Sequence, residues 1–291
     1  MTMTIWKKWI VGARPRTLPA AIAPVLVGTA LIRRDPLSIN YLNAILALLV
    51  GLLLQIAVNY SNDYSDGIRG TDNNRVGPIR LVASGLASAR AVKMAAILCF
   101  AAAALFGLIL SLRVSWWLLI IGALSIIAAW TYTGGKRPYG YLGLGEISVF
   151  LFFGLVATVG SYAVQSHRIT WQSILVSLPV GALSCAILAV NNLRDLPKDS
   201  LVGKRTLAVR LGDLRARQML ISLLVLAHLT ALSAAFISPW TLLTLIFVPF
   251  TRRIVHGIRA GAQGKELIPM LGQVGKLQLL LSTSLALALL L

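Results

Sequence analysis

Long apolar stretches alternate with short polar segments along the whole chain. Each stretch is close to the roughly 20 residues that a helix needs to cross a bilayer. The stretches cover residues 17–32, 42–60, 94–112, 115–133, 147–165, 172–191, 218–237, 239–255 and 275–291. The pattern therefore predicts an all-α, polytopic membrane protein with about nine transmembrane helices, which form a single domain over residues 1–291.

The composition supports this prediction and excludes a soluble globular domain. Hydrophobic residues make up 57% of the chain, charged residues only 12%, and the mean hydropathy is +0.81, whereas soluble domains carry about 25% charged residues. The lipid bilayer is thus the expected environment. No nucleic-acid partner is expected, and the pattern does not specify an oligomeric state.

The basic residues are distributed unevenly between alternate loops. If the N-terminus lies inside, all but four of the 27 Lys and Arg residues fall on the cytoplasmic side, the exceptions being Arg33, Arg34, Arg113 and Arg168. Basic residues are retained on the cytoplasmic side of membrane proteins. We therefore predict a multi-pass protein of the cell membrane (inner or plasma membrane) with a cytoplasmic N-terminus.

Five of the nine acidic residues are gathered in two clusters, each at the cytoplasmic end of a predicted helix. The clusters consist of Asn59, Asn62, Asp63, Asp66 and Asp72, then Asn191, Asn192, Asp195 and Asp199. Helical spacing places an amide and two carboxylates of each cluster on one stripe. Pro197 is a candidate helix break within the second stripe. Two facing carboxylate sets on the cytoplasmic face are the expected result.

Carboxylates this close together repel one another, so a cation is needed to balance them. One interpretation is a set of surface salt bridges to Arg69, Arg194 and Lys198. The other is Mg²⁺, which prefers oxygen ligands and is commonly held by one or two carboxylates together with substrate phosphates. The candidate metal ligands are then Asn59, Asn62, Asp63, Asp66, Asn191, Asp195 and Asp199.

A third polar element follows the fourth apolar stretch, on the same predicted side of the membrane. It reads Tyr132-Thr133-Gly134-Gly135-Lys136-Arg137-Pro138-Tyr139. Its glycines allow the backbone to approach an anion closely, and its two basic residues supply positive charge. Together with the acidic clusters, this element indicates a site for a phosphorylated substrate.

These motifs resemble the UbiA superfamily of intramembrane prenyltransferases, and their form is similar to its MenA branch. The likeness includes Asn62-Asp63-Tyr64-Ser65-Asp66-Gly67, Asn191-Asn192-Leu193-Arg194-Asp195 and Lys204-Arg205-Thr206-Leu207-Ala208-Val209-Arg210-Leu211-Gly212. It also includes Ala13-Arg14-Pro15-Arg16-Thr17-Leu18-Pro19 and Lys136-Arg137-Pro138-Tyr139-Gly140-Tyr141-Leu142-Gly143-Leu144-Gly145-Glu146. The resemblance thus covers most of the chain and implies a nine-helix, UbiA-like bundle.

The resemblance also implies roles for individual residues. Asp63 and Asp66 match the first metal motif of the family, and Asp195 and Asp199 match the second. Tyr132 and Lys136 match its Tyr-x-x-x-Lys element near the diphosphate, so the expected catalytic residues are Lys136, Tyr132, Asp63 and Asp195. The chain departs from many members at Gly70, where they carry a third acid. The nearest substitute is Asp72.

The implied reaction is Mg²⁺-dependent transfer of a polyprenyl chain from its diphosphate to 1,4-dihydroxy-2-naphthoate, with loss of CO₂ and diphosphate, in menaquinone biosynthesis. The expected diphosphate-binding residues are Arg69, Lys136, Arg137 and Lys204. The expected residues for the aromatic acceptor are Arg14, Arg16 and Glu146.

Three other functions compete with this interpretation. A family member could use another acceptor, such as 4-hydroxybenzoate or homogentisate. A secondary transporter also carries acids within many helices, but its coupling site lies near the bilayer midplane, whereas these acids lie at one face. A CDP-alcohol phosphotransferase would need an Asp-Gly-x-x-Ala-Arg pattern, and here Asp66-Gly67 is followed by Ile68-Arg69-Gly70.

Overall fold

The computed structural model describes residues 4–71 and 77–291, and all regular structure within these ranges is helical. The α-helices are α1 (Ile5–Ala13), α2 (Pro19–Ala30), α3 (Tyr41–Ile68), α4 (Ala89–Val114), α5 (Trp117–Thr131), α6 (Gly145–Val149), α7 (Ala157–Ser166), α8 (Trp171–Leu201), α9 (Leu207–Ser233), α10 (Val248–Arg259) and α11 (Leu267–Leu290). A π-helical turn, Phe150–Val156, joins α6 to α7, and a 3₁₀ segment, Pro239–Phe247, leads into α10.

Each of the nine predicted apolar stretches has a helical counterpart in the described ranges. Seven helical segments are long and apolar enough to cross a membrane: α3, α4, α8, α9, Gly145–Ser166, Pro239–Arg259 and Gly264–Leu290. The first stretch belongs to a broken helix, Trp6–Thr17 with Pro19–Arg34, that bends by 54°. The fourth stretch is α5, which has only 15 residues. The prediction of a polytopic all-α membrane protein is confirmed.

Two helices extend well beyond their apolar stretches and so carry the acidic clusters. Helix α3 runs for 28 residues to Ile68, and α8 runs for 31 residues to Leu201. Helix α8 continues through Pro197, so the candidate break does not occur. Asp195 and Asp199 therefore remain one turn apart on the same helix face. We call the end of the bundle where α3 and α8 terminate the site end.

Helix α8 lies at the centre of the bundle, where it packs against α9, α11 and the π-helical turn. Of its most apolar window, 78% is buried. Gly154 of the π-helical turn and Gly181 of α8 meet so closely that a Cβ on Gly154 would lie 2.7 Å from the Gly181 Cα. Small residues allow helix backbones to approach in this way. This contact fixes the π-helical turn beside α8, next to the cavity described below.

Candidate active site

A cavity of about 630 Å³ runs into the bundle from the site end. Its polar end is lined by both acidic clusters, including Asp66, Asp195 and Asp199. Its remaining wall is apolar and includes Leu54, Leu110, Leu118, Phe152, Phe153 and Ile174. The cavity thus joins a charged head region to a long hydrocarbon-like interior.

Asp66 contacts both a phenol and basic side chains at the polar end. Its side chain is almost completely buried, and its Oδ1 accepts a hydrogen bond of 2.5 Å from the Tyr141 hydroxyl. Its Oδ2 lies 3.4 Å from Lys204 Nζ and 3.6 Å from the Arg80 guanidinium. Two cations and a phenol therefore balance this carboxylate.

Tyr141 lies between two basic side chains. Lys204 Nζ is 4.8 Å from the centre of the Tyr141 ring, and the Arg69 guanidinium carbon is 5.5 Å from it. Burial, followed by the adjacent Asp66 carboxylate, raises the pKa of the Tyr141 phenol. The phenol therefore stays protonated at neutral pH and donates to Asp66.

The second cluster is paired within α8 and tied to the first cluster by Lys204. Arg194 donates two hydrogen bonds of 2.8 Å to the carboxylate oxygens of Asp195, and the Arg194 side chain is only 1% exposed. The Lys204 backbone N–H donates to the Asp199 carbonyl at 2.9 Å. The pair to Asp195 is thus a buried salt bridge, not the surface pair that the charge-balance interpretation assumed.

The amides of the two stripes also lie at the cavity. Asn59 Nδ2 donates to the Ala13 carbonyl and to Thr17 Oγ1, and Asn191 Nδ2 donates to the Ile187 carbonyl. Both residues line the cavity, and within residues 4–71 and 77–291 their Oδ1 atoms accept no hydrogen bond, so these oxygens can act as ligands. Asn62 Oδ1 accepts a hydrogen bond of 2.7 Å from Thr133 Oγ1, which ties the first cluster to the loop after α5.

Asp63 occupies a different environment from Asp66. It is fully buried and does not line the cavity. Its Oδ2 accepts the Leu81 backbone N–H at 2.7 Å, and its Oδ1 accepts the Val82 backbone N–H at 3.0 Å. Both oxygens therefore hold the segment that carries Arg80. Metal ligation by Asp63 would require at least one of these hydrogen bonds to break.

Tyr132 lies at the cavity wall, directly after α5. Burial, with Glu146 as the next cause, raises the pKa of its phenol. A phenol of this kind donates hydrogen bonds but does not act as a base at neutral pH. Its ring meets that of Tyr139 edge to face, with the ring centres 5.5 Å apart.

Several residues predicted for substrate binding do not line the cavity. Lys136 and Arg137 are exposed beside the site end, and Arg16 is exposed on the outer surface. Arg69 donates to the backbone carbonyls of Thr133 and Gly135, so it holds the loop that carries Lys136. Arg14 and Lys204, in contrast, both line the cavity.

Glu146 is also outside the cavity wall. It is 8% exposed, and its Oε1 accepts a hydrogen bond of 2.9 Å from Asn192 Nδ2. Asn192 itself lines the cavity. Asp72, the candidate third acid of the first motif, lies outside the described residues.

Sequence reasoning missed Arg80 and Tyr141 at the polar end, and it placed Asn192 in the second cluster without giving it a role. Arg80 was counted only as one of many basic residues in a predicted cytoplasmic loop, where such residues are expected from topology alone. Tyr141 and Asn192 belonged to recognised motifs, but their sequence positions do not show whether the side chains face the site or pack inside the protein. Their contacts with Asp66 and Glu146 span 75 and 46 residues of sequence.

The oxygen atoms at the polar end suit a metal ion whose coordination shell is completed by a substrate. Among residues 4–71 and 77–291, no three or more Asp, Glu, His or Cys side chains are grouped closely enough to hold a metal ion. The carboxylates and amides at the polar end nevertheless form an oxygen-only set. Mg²⁺ is commonly bound by one or two carboxylates plus substrate phosphates, without a cage made only of protein. The site therefore fits Mg²⁺ bound together with a diphosphate.

Comparisons with a family model and with known proteins all point to the same family. The model of the "UbiA prenyltransferase family" matches residues 21–262. A Mycobacterium tuberculosis protein named 1,4-dihydroxy-2-naphthoate octaprenyltransferase is 47% identical over 273 residues, covering 94% of this chain and 93% of that protein. The Haemophilus influenzae protein of the same name is 39% identical, with 98% and 96% covered.

Solved structures share the fold at low sequence identity. A UbiA homolog from Archaeoglobus fulgidus bound to GPP and Mg²⁺ gives a TM-score of 0.70 at 16% identity, with 97% of this chain and 99% of that chain covered. The apo structure of a UbiA homolog from Aeropyrum pernix gives 0.69 at 15% identity, with 92% and 95% covered. At these identities the likeness concerns the fold.

Proposed function

The chain belongs to the UbiA prenyltransferase family, and we propose that it transfers a polyprenyl chain from its diphosphate to 1,4-dihydroxy-2-naphthoate. The products are CO₂, diphosphate and the prenylated naphthoquinol of menaquinone biosynthesis. Relatives with 39–47% identity over almost the whole chain carry this activity in their names. The acceptor assignment rests on these relatives.

One observation carries the prenyl-transfer part of the proposal. A single cavity has carboxylates of both acidic clusters at one end and an apolar wall along the rest of its length. A polyprenyl diphosphate has the same division, with an anionic head and a long hydrocarbon tail. A transporter site near the bilayer midplane is not favoured, because the acids lie at the site end of α3 and α8.

We assign the metal-binding role to Asp66, Asp195 and Asp199, with amide oxygens from Asn59 and Asn191. Asn62 remains a proposed ligand, although its Oδ1 already accepts a hydrogen bond from Thr133. Mg²⁺ bound here would supply positive charge to the diphosphate as it leaves. Asp63 is not included, since it does not line the cavity and both of its oxygens accept backbone N–H groups. Its proposed role is to hold the segment that carries Arg80.

The basic residues of the polar end are assigned to the diphosphate. Arg80 and Lys204 lie at the cavity wall beside Asp66, where negative charge accumulates as the allylic C–O bond breaks. The diphosphate leaves with the electron pair of that bond. Lys136 and Arg137 are exposed beside this end, so their predicted diphosphate contacts would require the loop after α5 to move inward.

The remaining wall has two functions in this proposal. Its apolar residues hold the prenyl chain and exclude water, which would otherwise capture the allylic cation. Arg14 lines the cavity and is assigned to the acceptor carboxylate. Arg16 is exposed and Glu146 lies outside the wall, so neither is proposed to contact the acceptor directly.

We also propose that the site end faces the cytoplasm of the cell in which the protein is inserted. The support is the distribution of basic residues, of which all but four fall on this side. Substrate diphosphates then reach the polar end from the cytoplasmic interface, while their tails enter from lipid.

The test is a transfer assay with membranes that contain the protein. Radiolabelled polyprenyl diphosphate is combined with 1,4-dihydroxy-2-naphthoate, 4-hydroxybenzoate or homogentisate, with and without EDTA. We expect transfer to the dihydroxynaphthoate and none in EDTA. Membranes with Asp66→Asn provide the inactive control. Transfer to 4-hydroxybenzoate or homogentisate alone would reject the proposed acceptor while keeping the prenyltransferase assignment.

A further inference from the structure

Glu146 is a buried acid behind the cavity wall, at the start of α6. Its Oε1 accepts the hydrogen bond from Asn192 Nδ2. Its Oε2 is buried and has no hydrogen-bond partner in the part of the chain that the structure describes. Burying a carboxylate with so few partners is unfavourable, so packing alone is a poor explanation for an acid at this position.

The contact fixes the orientation of the Asn192 amide. In the structure the Asn192 nitrogen faces Glu146 and donates to its Oε1. Because an amide has one donor end and one acceptor end, the Asn192 Oδ1 is directed to the other side. Asn192 lines the cavity, and no hydrogen bond to its Oδ1 occurs within residues 4–71 and 77–291. The cavity thus presents a pre-oriented acceptor that suits a hydroxyl group.

The position of this oxygen along α8 matches the place of the aromatic acceptor. Asn192 precedes Asp195 by three residues and Asp199 by seven, which is about 4.5 Å and about 10 Å of helix at the usual rise per residue. It therefore lies beside the proposed metal ligands, where the acceptor must meet the allylic carbon next to the diphosphate. The rings of Tyr132 and Tyr139 line the same cavity, and Tyr132 Oη approaches Gly145, the residue before Glu146.

We propose that Asn192 Oδ1 accepts a hydrogen bond from a hydroxyl of the aromatic acceptor, and that Glu146 is the positioning residue that holds the amide in this orientation. The inference rests on the proposed function, because it requires a hydroxylated aromatic substrate. It reassigns Glu146 from direct contact with the acceptor to a role exerted through Asn192.

The hydrogen bond assists the attack of the ring on the allylic carbon. As the O–H bond is polarised toward Asn192 Oδ1, electron density on the ring increases. The ring carbon that carries the carboxylate forms the new C–C bond, while the allylic C–O bond breaks and diphosphate takes its electron pair. The carboxylate then leaves as CO₂ and returns its bonding pair to the ring. The hydroxyl keeps its proton, so no further reactant is required.

Glu146→Gln tests whether Glu146 orients the Asn192 amide or only fills space behind the cavity wall. Glutamine has nearly the same volume and can still hydrogen-bond to Asn192, but it accepts either orientation of the Asn192 amide. We expect the KM for the dihydroxynaphthoate to rise about 10-fold, the value of one hydrogen bond, with the KM for prenyl diphosphate unchanged. Asn192→Ala should show the same selective effect, at least as large.

Acceptor analogues provide a second readout. Equilibrium binding of 1,4-dihydroxy-2-naphthoate is compared with that of 1-hydroxy-2-naphthoate and 4-hydroxy-2-naphthoate. The wild-type protein should lose about 10-fold in affinity for the analogue that lacks the contacted hydroxyl. Asn192→Ala should abolish this discrimination. Cys185→Ala is the matched control, because Cys185 donates to the Glu146 backbone carbonyl but lies outside the cavity wall.

The outcomes distinguish this inference from the proposed function. If wild-type protein transfers the prenyl chain but Glu146→Gln and Asn192→Ala raise both KM values equally, or only lower the unfolding temperature, the inference is rejected. If wild-type protein uses another hydroxylated acid, the proposed acceptor is wrong, and the inference then holds only if the same variants selectively raise the KM for that acid. If it transfers to no aromatic acceptor, both proposals are rejected.

Discussion

Lys204 Nζ lies 3.4 Å from Asp66 Oδ2, although 138 residues separate the two in sequence. The same residue donates its backbone N–H to the Asp199 carbonyl. Lys204 therefore connects the two acidic clusters, one through its side chain and the other through its backbone. It lies where a diphosphate between the clusters would need a cation, and it balances Asp66 in the structure.

Lys204→Gln is expected to raise the KM for prenyl diphosphate by about 10-fold or more, since a hydrogen bond to a charged group contributes about 1.5–3 kcal/mol. The KM for the aromatic acceptor should stay the same. Steady-state kinetics with each substrate varied in turn measures both values. Arg205→Gln is the matched control, because Arg205 is exposed and does not line the cavity. Equal effects from both variants would show that only overall charge matters.

Asp66→Asn and Asp199→Asn should each reduce transfer by roughly 100-fold or more, given that even residues behind metal ligands typically contribute 10- to 100-fold. Calorimetry provides a readout that does not need turnover. Mg²⁺ should bind to wild-type protein in the presence of inorganic diphosphate and weakly in its absence, because the protein contributes too few ligands alone.

The control for these two variants is Asp213→Asn, at an exposed acid paired with Arg217 on α9. It removes one negative charge without touching the cavity and should leave Mg²⁺ binding unchanged. Full transfer by either cavity variant in EDTA-treated membranes would exclude a metal-dependent reaction.

Asp63→Asn should behave differently from Asp66→Asn. The new amide nitrogen would face a backbone N–H, so the segment with Leu81 and Val82 loses one hydrogen bond. We expect a loss of about 1–3 kcal/mol in the free energy of unfolding and a raised KM for prenyl diphosphate through Arg80. The Mg²⁺ concentration for half-maximal activity should change little. A large shift in that concentration, with stability intact, would instead make Asp63 a metal ligand.

Variants of the Arg194–Asp195 pair can test whether Asp195 balances the Arg194 charge or binds the metal ion. Arg194→Gln alone removes the guanidinium that pairs with the largely buried Asp195 carboxylate, and breaking such a pair costs about 3–5 kcal/mol. The double variant Arg194→Gln/Asp195→Asn should recover much of this stability, measured as the unfolding temperature in detergent. It should remain inactive, because an amide is a poor replacement for an anionic Mg²⁺ ligand. Recovery of transfer would support charge balance alone.

The membrane orientation can be tested with single cysteines in a Cys99→Ala/Cys185→Ala background. Cysteines at Lys136 and Lys204 should react with an impermeant reagent from the cytoplasmic side, and one at Arg113 from the opposite side. The same experiment applies to Asp72. The expectation follows from the charge distribution between loops. Labelling of Lys136 and Arg113 from one side would contradict the number of spans between them.

Local patterns predicted the membrane class and the helices, because a helix in lipid must be apolar over its own length. They also predicted that two acidic stripes lie on helices, although apolar stretches underestimated how far α3 and α8 extend. Hydropathy reports where lipid ends, whereas a helix ends where its backbone loses hydrogen bonds. The segment after Leu193 therefore remains helical despite Pro197 and its polar residues.

The sequence determined which residue types gather at one end of the bundle, and the tertiary structure decided what each of them contacts. Asp63 and Asp66 are three residues apart in one motif, yet one holds backbone N–H groups near Leu81 and the other faces the cavity. Spacing cannot separate them, because their partners come from loops 18 and 75 residues away. The partner of Glu146 is likewise on another helix, so its contact with Asn192 became visible only after α6 and α8 had packed together.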